Sequence, residues 1–485
     1  MNLPVIKQHF NAAPRTTQPP QPAIVKEPKK KSSRHLWWQK SIVRRSLSSV
    51  EPDLDHVISK SPFLRRQLAK FTKADNGIAL FHRKEIQVGK LLGKGGFSFV
   101  YEITGFCLDA RITFTLSQEE RNLREYYAES VIDERNGEYR YCIKHLQDRL
   151  VQNPKDFQCA ASDLAVEAAF LQAVDHPHIL KIRALPANGL SAWDDGKHDG
   201  YFIVTDRLDT TLDKLIPEWK EQGSAEVASM DERYKYALEL ADALKYLHGN
   251  RIAFRDLKPH NIGFDMAGRI KLFDFGLCRE LPSADESMDG LYLMSGVGTR
   301  RYMACEIINT GRYNLKADVY SWSMILWEML SQQKPYAPYS TDDHRREVCK
   351  GGERPPLDSR WPIWIQCLLK MTWDENVQYR FTMKDAYDGL KAGMYLEMTE
   401  HSSSNHEVVH TGNLSPSSPT AVVDFSLGME DYTPSVATEC KDGISGPPHK
   451  RTVYLKLPDD AKRAYLEIED SLVDSHHRSG QQGHR

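Results

Sequence analysis

No CxxC pair and no cluster of cysteine with histidine occurs in these 485 residues, although eight cysteines are scattered along the chain. That spacing offers neither a structural zinc site nor a thioredoxin-like pair, and thiols so sparse suit a reducing compartment. No apolar run approaches the roughly 20 residues that cross a bilayer, and the first residues lack the apolar core of a secretory signal. Internal repeats are absent. Acid is nearly missing from residues 1–50, where Glu27 stands alone against ten Lys and Arg. The expectation is a soluble intracellular protein, cytoplasmic, with the nucleus as a second candidate compartment.

That acid-poor start is also proline-rich, as in Gln18-Pro19-Pro20-Gln21-Pro22, and its apolar periodicity is poor. Residues 1–82 are therefore expected to form a basic, mostly disordered arm with one short helix near Pro62–Phe71. The run Lys29-Lys30-Lys31 with Arg34, Lys40, Arg44 and Arg45 suits contact with an import receptor or an anionic surface. A solvated tail is the plainer reading. Arg44-Arg45-Ser46 has the form of a basophilic phosphorylation site. Residues 398–485 are again Ser/Pro/His-rich, with Ser415-Pro416, Ser418-Pro419 and Thr433-Pro434. They read as a second mostly disordered tail, with a short amphipathic helix near Asp459–Val473.

What the chain does have lies between these tails. Overall charge is balanced, 64 basic against 66 acidic side chains, and 40% of residues are hydrophobic, enough for a core. From Glu85 to Val100 apolar residues alternate around a glycine cluster, which predicts two strands and a tight connection. A helix is predicted over about Asp156–Val174, with Leu164, Ala168 and Leu171 on one face. A stronger one runs from Met230 to His248, with Ala237, Leu240, Ala241, Leu244 and Leu247 as its stripe. Ser229 and Glu232 form its capping box, and Gly249-Asn250 ends it. Further helix follows, notably over Ala317–Leu330. Strands first and helices second is an α+β pattern.

Four short strings carry chemistry. In Gly93-Lys94-Gly95-Gly96-Phe97-Ser98-Phe99-Val100, glycines let the backbone approach a polyphosphate and aim N–H groups at it. The cluster lies between strands, which argues against a Rossmann turn or a P-loop; read alone it is an ordinary turn. Tyr141-Cys142-Ile143-Lys144 is a strand ending in a lysine, a cation for phosphates once a carboxylate fixes it, and Glu167 on the next helix is the candidate carboxylate. Each of the two, taken singly, reads as a surface charge. The decisive pair is Phe254-Arg255-Asp256-Leu257-Lys258-Pro259-His260-Asn261 and Lys271-Leu272-Phe273-Asp274-Phe275-Gly276. Transfer of a γ-phosphoryl group needs a carboxylate to orient the attacking hydroxyl, oxygen ligands for a divalent cation, and a cation on the migrating group. Asp256, Asp274 with Asn261, and Lys258 supply these in turn, and chance does not order all the strings this way.

In these strings the chain resembles the protein kinase family, across residues 83–397. The resemblance implies the bilobal α+β fold: an antiparallel-sheet N-lobe with one helix (83–205) and a larger, mainly helical C-lobe (206–397). It implies that Gly93, Gly95, Ser98 and Val100 cover the phosphates of ATP, and that Lys144 binds the α/β-phosphates and pairs with Glu167. Asp256 would act as catalytic base with Lys258 beside it, and Asn261 and Asp274 would hold Mg²⁺, with Mn²⁺ an acceptable substitute. Thr205 falls at the gatekeeper position of the strand entering the hinge, and Leu208 near the backbone that faces adenine. Glu306 would pair with Arg380, and Asp318 would brace the catalytic loop. Lys258 and Thr299 match the serine/threonine form, so the implied activity is transfer to serine or threonine of protein substrates. Trp322, Trp327 and Met371-Thr372-Trp373 resemble the tyrosine-kinase-like branch of that class.

Several positions depart from the family pattern. Ser98 stands for the third loop glycine, Phe254 for histidine, Cys305 for proline, Cys142 for alanine and Ser323 for glycine. The stretch from Val100 to Lys144 is unusually long, and its polar part, Ser117–Arg140, reads as a surface insertion. Arg255 implies a phosphorylated activation segment and an upstream kinase, with Ser283, Ser287, Tyr292 and Ser295 as candidates. Two readings compete with catalysis. One is a nucleotide-binding relative without transfer, against which Lys144, Asp256, Asn261 and Asp274 all stand. The other is a scaffold acting through the basic arm, which only the arm supports.

Overall fold

Strands β4, β5 and β6, buried along most of their length, stand at the centre of a six-stranded sheet in the order β1-β5-β6-β4-β3-β2. Its strands are β1 (Ala79–Phe81), β2 (Ile86–Lys94), β3 (Ser98–Phe106), β4 (Tyr141–Leu146), β5 (Ile182–Pro186) and β6 (Phe202–Asp206). A computed structural model describes residues 58–69, 77–187, 200–221, 229–281, 292–293 and 298–404. All of these lie in a unit that starts at Ile42. The basic arm through residue 57, Arg44-Arg45-Ser46, the Ser-Pro and Thr-Pro sites, and the 459–473 helix lie outside the described residues. So do Ser283, Ser287 and Ser295.

The sheet departs from the purely antiparallel form expected, because β1 joins it parallel to β5. On one face Ile103, Tyr141, Ile143, Phe202 and Val204 close a small core. Instead of the single helix expected, α1 (Pro62–Leu68), α2 (Gln118–Glu129) and α3 (Pro154–Ala173) accompany the strands among the described residues, with a further four-residue helical turn at Ala110–Thr113. Asn153 caps α3 and Pro154 opens it, as suits a residue without an N–H at a position where none is needed. Leu164, Ala165, Ala168, Phe170 and Leu171 bury its apolar side.

Two expectations about boundaries need correction. The ordered body begins before residue 83. Ala79 and Phe81 are buried in β1, and α1, shorter than the expected 62–71, buries Phe63 and Leu64 against α3. The stretch 117–140 is likewise not a simple surface loop. Ser117 and Glu120 form a capping box that starts α2, and Arg124 and Tyr127 are buried beneath it. Arg124 donates to the Leu80 carbonyl at 2.9 Å and to Glu85 at 2.5 Å. Tyr127 donates to the Gly77 carbonyl at 2.6 Å. So α2 clamps β1 onto the lobe.

The other lobe is helical around α4 (Leu212–Glu221), α5 (Met230–Gly249), α6 (Cys305–Thr310), α7 (Lys316–Ser331), α8 (Ile363–Thr372) and α9 (Met383–Ser404). The five predicted stripe residues of α5 are fully buried, and its Ser229–Glu232 box and Asn250 end are as read from sequence. Helix α7 is mainly apolar and buried along nearly its whole length, as a central helix must be, with Lys316, Asp318 and Glu328 as its buried charges. Trp322 ties the two helices by donating to the Ala237 carbonyl at 3.0 Å. Helix α9 continues to Ser404, beyond the expected end at 397. Small ladders complete the lobe: β7 (Thr210–Thr211) with β9 (Ile262–Phe264) and β10 (Ile270–Leu272), β8 (Ile252–Ala253) with β11 (Arg279–Glu280), and β12 (Tyr292–Leu293) with β13 (Arg312–Tyr313). Among the described residues no helix is long and apolar enough to cross a membrane.

Candidate functional site

Strand pleating turns Lys144 away from the buried Ile143 and toward the cleft between the lobes, opposite Val100 of β3 and Ile203 of β6. Its ammonium donates to Glu167 at 2.6 Å and to Asp274 at 2.8 Å. Three residues far apart in sequence thus share one charge cluster. Burial of Lys144 favours the free amine, but Asp274 and Glu167 outweigh it and hold the ammonium well above its ordinary range. Burial pushes the Glu167 carboxyl up to about 7 against the pull of Lys144. Desolvation raises Asp274 as well, yet Lys144 and Lys258 prevail and leave it below the usual carboxylate range. One ammonium between two acids keeps Asp274, the acid that opens on the cleft, charged.

Asp274 sits in the left-handed region at φ 70°, a conformation that costs energy and is held by its surroundings. Phe275 beyond it is fully buried, edge-on to Phe254 at 5.2 Å. The histidine-to-phenylalanine departure therefore fills an apolar slot, as its side-chain chemistry predicts. Gly276 lies so close to α3 that a Cβ there would stand 3.0 Å from the Asp163 carbonyl. This close approach couples the Asp274 segment to the Glu167 helix.

Asp256 is fixed from three sides. Lys258 donates to its Oδ2 at 2.5 Å, Thr299 donates to its Oδ1 at 3.2 Å, and Asn261 Nδ2 donates to its carbonyl at 2.9 Å. The loop itself hangs on Asp318, which is fully buried at the start of α7. Asp318 accepts from Phe254 N at 2.8 Å, Arg255 N at 3.0 Å and the Tyr313 hydroxyl at 2.5 Å. Glu306 and Arg380 pair at 2.7 Å, with Arg380 buried. Asn261 and Asp274 approach one another through the Phe273 N–H, which donates to the Asn261 carbonyl at 3.0 Å. Since Asn261 spends its N–H₂ on Asp256, its Oδ1 is available as an acceptor. A carboxylate and an amide oxygen on the cleft are hard oxygen donors that fit a divalent cation sharing phosphate and water ligands.

The glycine turn closes through Gly95 N–H to the Ser98 carbonyl at 2.8 Å, between Gly93 and Val100, which pair across β2 and β3. Two residues not singled out from sequence hold its tip. Gln147 donates to the Gly95 carbonyl and Arg149 to the Gly96 carbonyl, both at 2.8 Å. Their position just after Lys144 was the available signal. At the far end of the cleft Cys142 and Thr205, both buried, contact through Sγ and Oγ1 at 3.3 Å. Burial pushes the Cys142 thiol up to about 11, so it is an unreactive packing group. Leu208 lies against Gly263 of β9, where a Cβ would meet its Cδ1. Of the four activation-segment candidates only Tyr292 is described; its hydroxyl accepts from Arg251 at 3.4 Å.

A strand lysine pinned to a helix glutamate and a loop aspartate, above a second loop with a fixed carboxylate, lysine and asparagine, defines the class of two-lobed phosphotransferases. The chain belongs to the protein kinase family: residues 129–389, just over half of the chain, match the family described as "Protein kinase domain". The match begins after the glycine turn, so that turn rests on its own geometry. Members of this family use ATP, typically with a divalent metal ion. A "Dual specificity protein kinase shkD" of Dictyostelium discoideum is 33% identical over 180 residues, 37% of this chain and 23% of that protein. A "Putative mitogen-activated protein kinase kinase kinase 7-like" of Drosophila melanogaster is 27% identical over 234 residues, 45% of this chain and 53% of that protein. A "Putative serine/threonine-protein kinase B" of Trypanosoma brucei brucei is 27% identical over 234 residues, 48% and 50% respectively. The chain spans between about a quarter and about half the length of these relatives.

Proposed function

We propose that this protein is a serine/threonine kinase that transfers the γ-phosphoryl group of ATP to hydroxyls of protein substrates. The observation that carries the reading is the double engagement of Lys144 with Glu167 and Asp274, together with Asp256 bound by Lys258 and Thr299. Lys144 Nζ, kept cationic by its two acids, binds the α/β-phosphates. Asp256 Oδ1 orients the acceptor hydroxyl and takes up its proton, while Lys258 Nζ stabilises the charge on the migrating group. Gly93, Gly95, Ser98 and Val100 cover the phosphates, and Thr205 and Leu208 border the base. Asn261 and Asp274 would hold Mg²⁺, or Mn²⁺ in its place, which when bound neutralises charge on the β- and γ-phosphates. Lys258 and Thr299 favour serine and threonine as acceptors. The dual specificity in the name of one relative makes tyrosine the second acceptor to score.

The wider setting belongs to the same proposal. An upstream kinase acts on the activation segment, and the basic arm serves import receptors or anionic surfaces of a cytoplasmic protein that also enters the nucleus. The test of the core reading is radiolabelled transfer from ATP with Mg²⁺ to a generic substrate, followed by phosphoamino-acid analysis. Asp256→Asn and Lys144→Met should each lower transfer by about 100-fold or more. An intact chain that binds ATP but transfers nothing, even after treatment with an activating kinase, would leave a nucleotide-binding module instead.

A further inference from the structure

Helix α1 precedes the expected start of the lobe, yet it is seated at the junction of the parts that must cooperate. Phe63 and Leu64 are fully buried in the core they share with α3, the helix that carries Glu167. Ser61 caps α1 by accepting from Leu64 N at 3.0 Å, and Pro62 stiffens its first turn. The same Ser61 hydroxyl donates to Glu280 at 2.5 Å, and Phe63 N donates to that carboxylate oxygen at 2.8 Å. Glu280 thus satisfies an otherwise orphaned N–H at the start of α1, where a helix favours negative charge. It lies in β11, just after Asp274 and Phe275, and pairs with Ile252 in β8, the strand that leads into the Asp256 loop. One short helix therefore touches the Glu167 helix with its apolar side and the Asp274 segment with its N-terminus.

We propose that residues 61–68 form an intramolecular latch, in which Ser61, Phe63, Leu64 and Glu280 are positioning residues. They hold α3 against the activation segment, so that Glu167 stays on Lys144. The latch touches none of the reacting groups. It acts by raising the population of the arrangement in which Lys144 meets Glu167 and Asp274 together, and releasing it shifts that population without removing any catalytic residue. Its role in turnover rests on the kinase reading above, but its effect on α3 does not.

The test uses the full-length chain with Ser61→Ala, Glu280→Ala, the double variant, and Ser61→Thr, which retains the hydroxyl. Hydrogen exchange of peptides from residues 154–173 should quicken about tenfold in the two single alanine variants, while peptides from α5 in the other lobe keep their rates. The double variant should exceed either single yet fall short of their sum, because the Ser61–Glu280 bond is lost in both singles while the Leu64 N and Phe63 N bonds are lost separately. Ser61→Thr should return exchange to that of the parent. In phosphate transfer the alanine variants should lose kcat by about tenfold per folded molecule with KM for the protein substrate unchanged. A synthetic peptide of residues 56–72, added to full-length Phe63→Ala/Leu64→Ala, should restore part of the rate. Unchanged exchange in 154–173, equal quickening in α5, or additive effects in the double variant would overturn the latch. An inactive parent chain with the expected exchange pattern would overturn the kinase reading and leave the latch standing.

Discussion

At the scale of single residues, burial decides which charges are retained. Glu328 is the clearest case outside the cleft. It is nearly inaccessible, and the Tyr302 hydroxyl donates to it at 2.7 Å. Burial pushes its carboxyl from the ordinary 4.5 up to about 7, against Tyr302, Lys334 and Arg301. The folded chain therefore keeps a proton that the unfolded chain releases. The contribution is fully favourable below about pH 4.5 and is lost as pH rises to about 7. Gln at this position is neutral throughout and still accepts from Tyr302. The stability of Glu328→Gln relative to the parent should thus grow by on the order of 3 kcal/mol between pH 4.5 and 8, read by urea denaturation at both values. A constant difference would mean that Glu328 titrates alike in both states. The cleft residues were legible at this same scale, because acids, lysine and asparagine crowd into short strings. Glu328 was not, since an acid in an apolar helix looks like one turned to solvent.

At the scale of elements, legibility followed apolar content. Helix α5 announces itself by a long apolar stripe and its cap, whereas half of the residues of α2 are charged and few apolar ones mark the side it buries. Its anchorage is a guanidinium and a phenol. Arg124 and Glu85 are both buried, and Glu85 also accepts from His82 N at 2.8 Å and Asp109 N at 2.9 Å. Arg124 stacks on Phe81 at 4.9 Å besides. Removing one partner strands the other charge in the interior, so Arg124→Ala should cost about 3–5 kcal/mol. Replacing both, Arg124→Met with Glu85→Gln, should recover much of that loss, because no charge is left unpaired. Chemical denaturation of the three variants checks the order. If the double variant is as unstable as the single, the cost lies in the lost hydrogen bonding of the guanidinium, as to the Leu80 carbonyl, and not in an unpaired charge.

At the scale of the molecule, the question is where the folding unit starts. Read from sequence, the lobe opens at residue 83, because the stretch before it is basic and shows no strand alternation long enough to notice. A three-residue strand carries almost no pattern, and a seven-residue helix with two buried side chains carries little more. Yet β1 covers the edge of β5, which would otherwise present unpaired backbone groups to other chains. Phe63, Leu64 and Phe81 are each fully buried, and burial of side chains of this size contributes roughly 1.5–3 kcal/mol apiece. Together that is comparable with the roughly 5–15 kcal/mol that holds a typical domain folded. A fragment of residues 83–397 should therefore melt at least ~5 °C below the full chain, or aggregate on expression. A fragment of residues 58–404 should match the full chain in melting temperature and in its stabilisation by ATP with Mg²⁺. Thermal denaturation of the two fragments beside the intact protein separates the alternatives. Equal melting of all three would mean that the upstream residues rest on the fold without supporting it, and the boundary at 83 would then be the correct one.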